Sequence, residues 1–280
     1  MLGKLLKHEF RATGRVMLPV MGAMVLLAAL ANVSIRFMLR GVEAGTALQI
    51  LGGLLIAFAV LAVIATAVMA VVLMVSRFYR NLLKDEGYLM MTLPVSVHGL
   101  IWSKLIVSLV WILAVTLLIW VVGLLTALNA FDTNLAVFIE GFPSWAEIRQ
   151  VIAELGIGSR LTTLGIQFFL AALLGALVTC LHFYAAMSLG HMFSKDKVLL
   201  SIVFFVALSF AFSLMGVSAG MVLPMMGSGA IEAMETMEGL PDTLGFFSRI
   251  LWQGLATSAV QGAILYLATT LSLKRGLNLG

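Results

Sequence analysis

Charge is the property this chain has least of. Asp, Glu, Lys and Arg together make up 11% of its 280 residues, against 62% hydrophobic, whereas a soluble domain carries about 25% charged residues. Cysteine is scarcer still. The single Cys180 excludes an intramolecular disulfide and any cysteine metal cluster. Four scattered histidines without an HExxH pair give no zinc site. GxxxxGK[ST] is missing, so the chain has no phosphate-binding loop and is not expected to hydrolyse ATP by that route. Gly156/Gly158 and Gly227/Gly229 begin a Gly-x-Gly pattern, but Leu161 and Glu232 stand where its third glycine belongs. The apolar runs hold almost no ionisable side chain, which argues against a proton- or ion-coupled carrier, because such carriers keep the coupling charge inside the membrane. They show no pair of acids and no serine–base arrangement either, so an intramembrane hydrolase is a poor reading. The net charge of +4 would admit nucleic acid as a partner, but the placement of the charges does not.

What the chain has in abundance is apolar length. Six stretches reach the roughly 20 residues needed to cross a bilayer: Val16–Phe37, Ala47–Val75, Leu100–Asn129, Leu161–Gly190, Val198–Met226 and Ile250–Leu273. The sequence therefore predicts an all-α polytopic membrane protein, one membrane domain over residues 1–280 with no internal repeat and no linker of domain size. No cleavable signal is expected, since the basic residues near the start are spread out and no small-residue cleavage site follows. Placing the N-terminus inside leaves only Arg36, Arg40, Arg149, Arg160 and Arg249 of the 17 basic residues outside. That bias fits the positive-inside rule and puts both termini in the cytoplasm. Most acids fall outside, which agrees without deciding.

Between the spans, three segments have structure of their own. Residues Met1–Arg15 pattern as an amphipathic helix, with Leu2, Leu5, Leu6 and Phe10 on one face and Lys4, Lys7, His8, Arg11 and Arg15 on the other. Such a helix is expected to lie in the inner interface with its basic face toward lipid phosphates. It also suits a connector touching a cytoplasmic subunit. The outer segment Ala130–Arg160 carries Ser144 three residues before Glu147, a capping-box spacing that predicts a short helix toward Leu155. Farther on, Glu232, Glu235 and Glu238 beside Met234 and Met237 suggest another short helix over the outer mouth, with Pro224 helping to end the fifth span.

The stretch Ser76–Lys104 is the most informative. Arg77 to Leu83 continues a helical pattern, Asp85–Glu86–Gly87 breaks it, and an apolar patch of Tyr88, Leu89, Met90, Met91 and Leu93 ends at Pro94. Ser96 can cap the helix that follows. A plain tether between two spans needs none of this. A surface that docks a soluble partner does. Within the spans the polar residues are few, and Asn32, Gln167, His182 and Gln261 are the candidates for a translocation pathway. The competing reading, interhelical hydrogen bonding, is the commoner fate of such residues.

Taken together, the basic N-terminus LGKLLKHEFR, the six spans and the run KDEGYLMMTLPVSVHGLIWSKL resemble the permease subunits of bacterial ABC-2 type transporters over nearly the whole chain. The resemblance implies a membrane-spanning subunit in the bacterial cytoplasmic membrane, paired with a second copy or a related permease. It implies two separate ATPase subunits that bind ATP and Mg, no cofactor on this chain, and an exporter's function. It further implies a cytoplasmic coupling helix between spans two and three, mapped by position to about Lys84–Pro94. There Lys84, Asp85 and Glu86 would set register and charge, Gly87 and Pro94 the turns, and Tyr88, Leu89 and Leu93 would fill a groove of the ATPase. The substrate class it suggests is a peptide, a lipid or another amphipathic molecule. A different class of function, a scaffold or immunity-type protein that sequesters a peptide or lipid without transport, needs no ATPase at all.

Overall fold

The computed structural model describes residues 2–39, 46–83, 97–130, 144–193, 196–226 and 240–274, and every regular element among them is helical. In chain order these are α1 (Leu2–Leu39), α2 (Thr46–Phe78) continued by a π-helical turn (Tyr79–Leu83), α3 (Val97–Ala130), the short α4 (Trp145–Glu154), α5 (Gly158–Gly190), α6 (Lys197–Met226) and α7 (Leu240–Lys274). All but α4 are long and apolar enough to cross a membrane, and the chain is an all-α polytopic membrane protein. A helix of 30 residues, the length of α6, already runs about 45 Å. That exceeds a hydrocarbon core of about 30 Å, so the long helices tilt or project.

Two helix ends fall elsewhere than the hydropathy pattern puts them, and a third falls where expected. The amphipathic stretch before Arg15 is not a separate interfacial helix: α1 runs unbroken from Leu2 to Leu39. No glycine-and-proline stop separates the basic part from the apolar part, and Pro19 removes one backbone hydrogen bond without ending the helix. Helix α6 ends at Met226, two residues after Pro224 and where the hydropathy pattern ends the fifth span. Helix α7 begins at Leu240, ten residues before Ile250, where Pro241 occupies the first turn and its missing N–H costs nothing. The acidic stretch expected to form a helix around Glu232–Glu238 lies outside the described residues.

The short helix after Ser144 is present, and its end explains the Gly156/Gly158 pair. Gly156 takes φ +64°, its N–H bonds the Ala153 carbonyl at 3.2 Å, and the Ile157 N–H bonds the Ile152 carbonyl at 3.2 Å. These two bonds form a Schellman motif, which closes a helix on a left-handed residue. The glycines therefore stop α4 and start α5.

Packing divides the helices into two compact units. The first takes α1, α2 up to Met74 and α3 from Ile106. Its core is Met17, Ala70 and Val115, with Met21, Leu73, Trp111 and Ile119 against it. Helices α1 and α3 run parallel here. Near one end the Trp111 indole donates to Thr13 Oγ1 at 2.8 Å, with Gly14 close enough to the ring that a Cβ would sit 3.6 Å from it. Near the other, Asn32 Nδ2 donates to Thr126 Oγ1 at 3.1 Å and Asn129 Nδ2 donates to Asn32 Oδ1 at 2.7 Å. The second unit takes the end of α2, the start of α3, and α4 to α7. Within it α5 packs mainly along α7 and α6. Large apolar side chains such as Leu117, Trp120, Phe169 and Phe210 point outward, as they must where the solvent is lipid.

Candidate functional site

One end of the second unit gathers most of the buried polar side chains among the described residues. Asn81 from the π-helical turn, Ser103 and Lys104 from α3, Ser188 and His191 from the end of α5, Ser201 from α6, and Thr269, Thr270 and Ser272 from α7 are all buried. Contacts such as Tyr79 with His191 and His98 with Tyr266 join these helix ends. The layer is dense. Phe78 and Tyr184, both fully buried, stack with ring centroids 4.0 Å apart and planes 10° from parallel. Tyr79 meets the His191 ring edge-on at 5.3 Å. On the α3 side, the Tyr266 hydroxyl and His98 Nδ1 are 2.6 Å apart, and Trp102 packs 6.2 Å from the Tyr266 ring.

The π-helical turn is the local feature that makes this possible. Asn81, Leu82 and Leu83 are consecutive and all buried. Successive residues of an α-helix point about 100° apart, so three in a row are enclosed only where neighbouring elements wrap most of the helix. A single wide turn of this kind is an energetic compromise often found at functional sites. Its last residue, Leu83, is 4% exposed, and α3 is buried again by Leu100 and Ile101. The described chain thus stops at a packed helix end and resumes at residues 97–99, which are partly exposed before α3 is buried at Leu100. The expected coupling residues Lys84, Asp85, Glu86, Gly87, Tyr88, Leu89, Leu93 and Pro94 themselves lie outside the described residues.

Lys104 corrects one expectation. As the last residue of the stretch Ser76–Lys104 that reads as a docking surface it is expected on the outside, but it is 3% exposed and belongs to the interior layer. Arg80, by contrast, is exposed.

The four pathway candidates have different surroundings. Asn32 belongs to the first unit and bridges α1 to α3 as described. Gln167 is fully buried and donates through Nε2 to Ser248 Oγ at 2.9 Å and to the Ser248 carbonyl at 3.2 Å. Its Oε1 has no partner among the described residues. His182 Nε2 lies 3.0 Å from Ser209 Oγ and 3.2 Å from the Phe205 carbonyl, with the Phe205 and Phe212 rings edge-on around it. Gln261 is half-buried on α7. Asn32, Gln167 and His182 each bond to a neighbouring helix, the use that polar side chains commonly serve between membrane helices. Replacing Gln167 by Leu is expected to change thermal stability by no more than about 1 kcal/mol, since such bonds average about 0.6 kcal/mol. Melting of the purified variant checks this. Loss of transport in this variant, with stability changed by no more than that, would assign Gln167 to a pathway instead.

His191 is the titratable member of the layer. Burial pushes its pKa below the usual histidine value, with Lys197 adding to the effect, while the bond from the ring to the Met187 carbonyl at 2.9 Å acts against it. The folded state therefore binds fewer protons than the unfolded chain at mildly acidic pH. By linkage, the contribution of a neutral His191 is complete above the unfolded value of about 6.5 and is lost as pH falls from there through the lowered folded value. Melting curves of the wild type and His191→Gln should diverge above pH 7 and converge toward pH 5. Parallel curves across that range would exclude this residue as a source of acid sensitivity.

The residues of this layer carry no signature in the sequence. Phe78, Tyr184 and Leu82 are apolar positions among many, and only the Asn81 and Lys104 polarity near helix ends hints at an enclosed polar environment. Comparison with family models, with curated proteins and with solved structures found no match.

Proposed function

We propose that this chain is the membrane-spanning permease subunit of an ATP-driven transporter of the ABC-2 type, an exporter in a bacterial cytoplasmic membrane that moves a peptide, lipid-like or other amphipathic substrate. ATP and Mg are bound by two copies of a separate ATPase subunit, and a second permease copy or a related one completes the pathway. The observation that carries this reading is the buried layer of the second unit, into which Leu82–Leu83 at the end of α2 and Leu100–Ile101 near the start of α3 are packed. A push delivered to these helix ends moves α2, α3 and the helices packed on them. The scarcity of ionisable residues in the spans supports the same reading, since an energy source outside the chain makes a coupling charge within it unnecessary.

In this mechanism the coupling element Lys84–Pro94 sits in a groove of the ATPase, with Tyr88, Leu89 and Leu93 as apolar anchors and Lys84, Asp85 and Glu86 fixing register. Closure of the ATPase dimer on ATP pushes the element, and the buried layer passes the push into the membrane helices. Anchors of this kind carry about 2 kcal/mol or more each, a factor of about 30 in affinity. Affinity purification of the chain from its native membrane should bring down a nucleotide-binding subunit with ATPase activity. Tyr88→Ala or Leu93→Asp should weaken that association by about that factor with membrane insertion unchanged. A chain that purifies alone from mild detergent would favour the scaffold reading, and full association of both variants would sink the placement of the coupling element.

A further inference from the structure

We infer that the outward face of α1 is a binding site for one anionic phospholipid, with His8, Arg11 and Arg15 holding the phosphate and the stripe beyond them holding an acyl chain. The argument starts from the continuity of α1. Because the helix does not break between its basic and apolar parts, the charges are stacked along the helix axis instead of lying flat in one plane. Lys4, Lys7, His8, Arg11 and Arg15 are exposed, while Glu9, Thr13, Gly14 and Met17 on the opposite side are buried. His8, Arg11, Ala12 and Arg15 line a shallow depression in the surface.

The same face continues without interruption into hydrocarbon. From Arg11 and Arg15 the spacing of three and four residues leads to Leu18, Gly22, Val25 and Leu26, all exposed, with Leu18 64% and Leu26 63% exposed. Residues three and four apart share one side of a helix. Gly22 meets nothing within 4 Å of where a Cβ would stand, so the stripe has a furrow between Leu18 and Leu26. Depth matches the ligand as well. The headgroup layer is about 5–7 Å thick on each side, and at 1.5 Å per residue Arg11 lies about 6 Å along the axis from Arg15. A cationic pair spaced over one headgroup, followed by an apolar furrow, is complementary to a molecule with an anionic head and a hydrocarbon tail. A soluble acidic protein would match the upper half of this face only. A free phosphate would match it without using the furrow.

Native mass spectrometry of the detergent-purified chain, with phosphatidylglycerol or phosphatidylcholine added, tests the assignment. Each basic residue near an anionic surface contributes about 1 kcal/mol, so Arg11→Gln/Arg15→Gln should retain phosphatidylglycerol about thirtyfold more weakly than wild type. Arg11→Lys/Arg15→Lys should keep most of the binding, Arg149→Gln should keep all of it, and phosphatidylcholine should bind weakly to every form. For the wild type alone, retention should fall as salt is raised, which holds the test open if the glutamine variant does not fold. Gly22→Phe, which fills the furrow, should weaken the lipid and leave any binding of inorganic phosphate untouched. Equal retention of the two lipids would overturn the site. So would competition by millimolar inorganic phosphate, or loss of an ATPase partner from Arg11→Gln/Arg15→Gln with lipid retained. The inference does not depend on the transporter reading, because lipid retention is measured on this chain by itself.

Discussion

Gly190→Val is expected to leave little folded protein. At this position α5 ends against the start of α6, and a Cβ on Gly190 would fall 2.5 Å from the Ser201 backbone nitrogen and 2.7 Å from its Cα. Backbone atoms of a packed helix cannot turn aside as a side-chain tip does. Overpacking costs about 1–3 kcal/mol where side chains absorb it, occasionally more, and here the whole α5–α6 turn has to move. That turn is already constrained: Asp196 holds φ 52°, and the Leu200 N–H bonds its carbonyl at 2.9 Å. A loss of about 3 kcal/mol or more is expected, a large part of a typical stability of about 5–15 kcal/mol. Gly165→Ala and Gly175→Ala in the same helix meet open space and should be neutral or slightly stabilising. Fluorescence-detected size exclusion after a heating series separates the three variants. Equal midpoints would show that α5 and α6 do not approach as closely as this.

Tyr184→Ala should have an effect of comparable size, but a more local one. Its ring is fully buried against Phe78. Removing a buried aromatic side chain costs about 3–5 kcal/mol, and a stacked pair adds about 0.5–1.5 kcal/mol beyond its area. The cavity would open beneath the π-helical turn, so the 79–83 end of the 84–96 segment should come loose before the spans do. Limited proteolysis reads this directly: cleavage between Ser76 and Lys104 should accelerate at least tenfold, in line with a local opening made about 1.4 kcal/mol or more easier. Tyr184→Phe keeps the ring and should lie close to wild type. An unchanged cleavage rate in Tyr184→Ala, at a lowered melting temperature, would mean that the segment is not held by this layer. For the transporter reading the consequence is specific. Tyr184→Ala should bind the ATPase subunit yet uncouple hydrolysis from transport, whereas Leu93→Asp should fail at binding.

Most of the fold was legible from hydropathy, because a membrane span must be apolar along its whole length and nothing soluble imitates twenty such residues in a row. Helix ends were less legible. One was clear: Pro224 stands close to the end of the fifth span, and α6 ends at Met226. Ile250 suggested a start because Arg249 precedes it, yet a charge near a helix end tolerates projection from the membrane, and α7 begins at Leu240. The capping spacing of Ser144 and Glu147 located α4, since a cap is local chemistry written in adjacent residues. The candidate site divides the same way. The unusual run from Lys84 to Pro94 stood out as composition. The layer that anchors its neighbours did not, because Phe78, Tyr184 and Leu83 differ from other apolar residues only in what surrounds them.

By itself, then, the sequence determined that this is a six-span helical membrane protein with a charged segment between spans two and three, and a basic amphipathic start. Those properties depend on transfer between water and lipid, which each stretch of chain settles independently of the others. Only the tertiary structure decided that α1 is continuous, that Lys104 is interior, that α5 and α6 meet at Gly190, and that Phe78 stacks on Tyr184. These depend on which face of each helix meets another helix. In a chain whose helices are apolar on every side, the pattern of polar residues does not mark that face, and packing alone selects it.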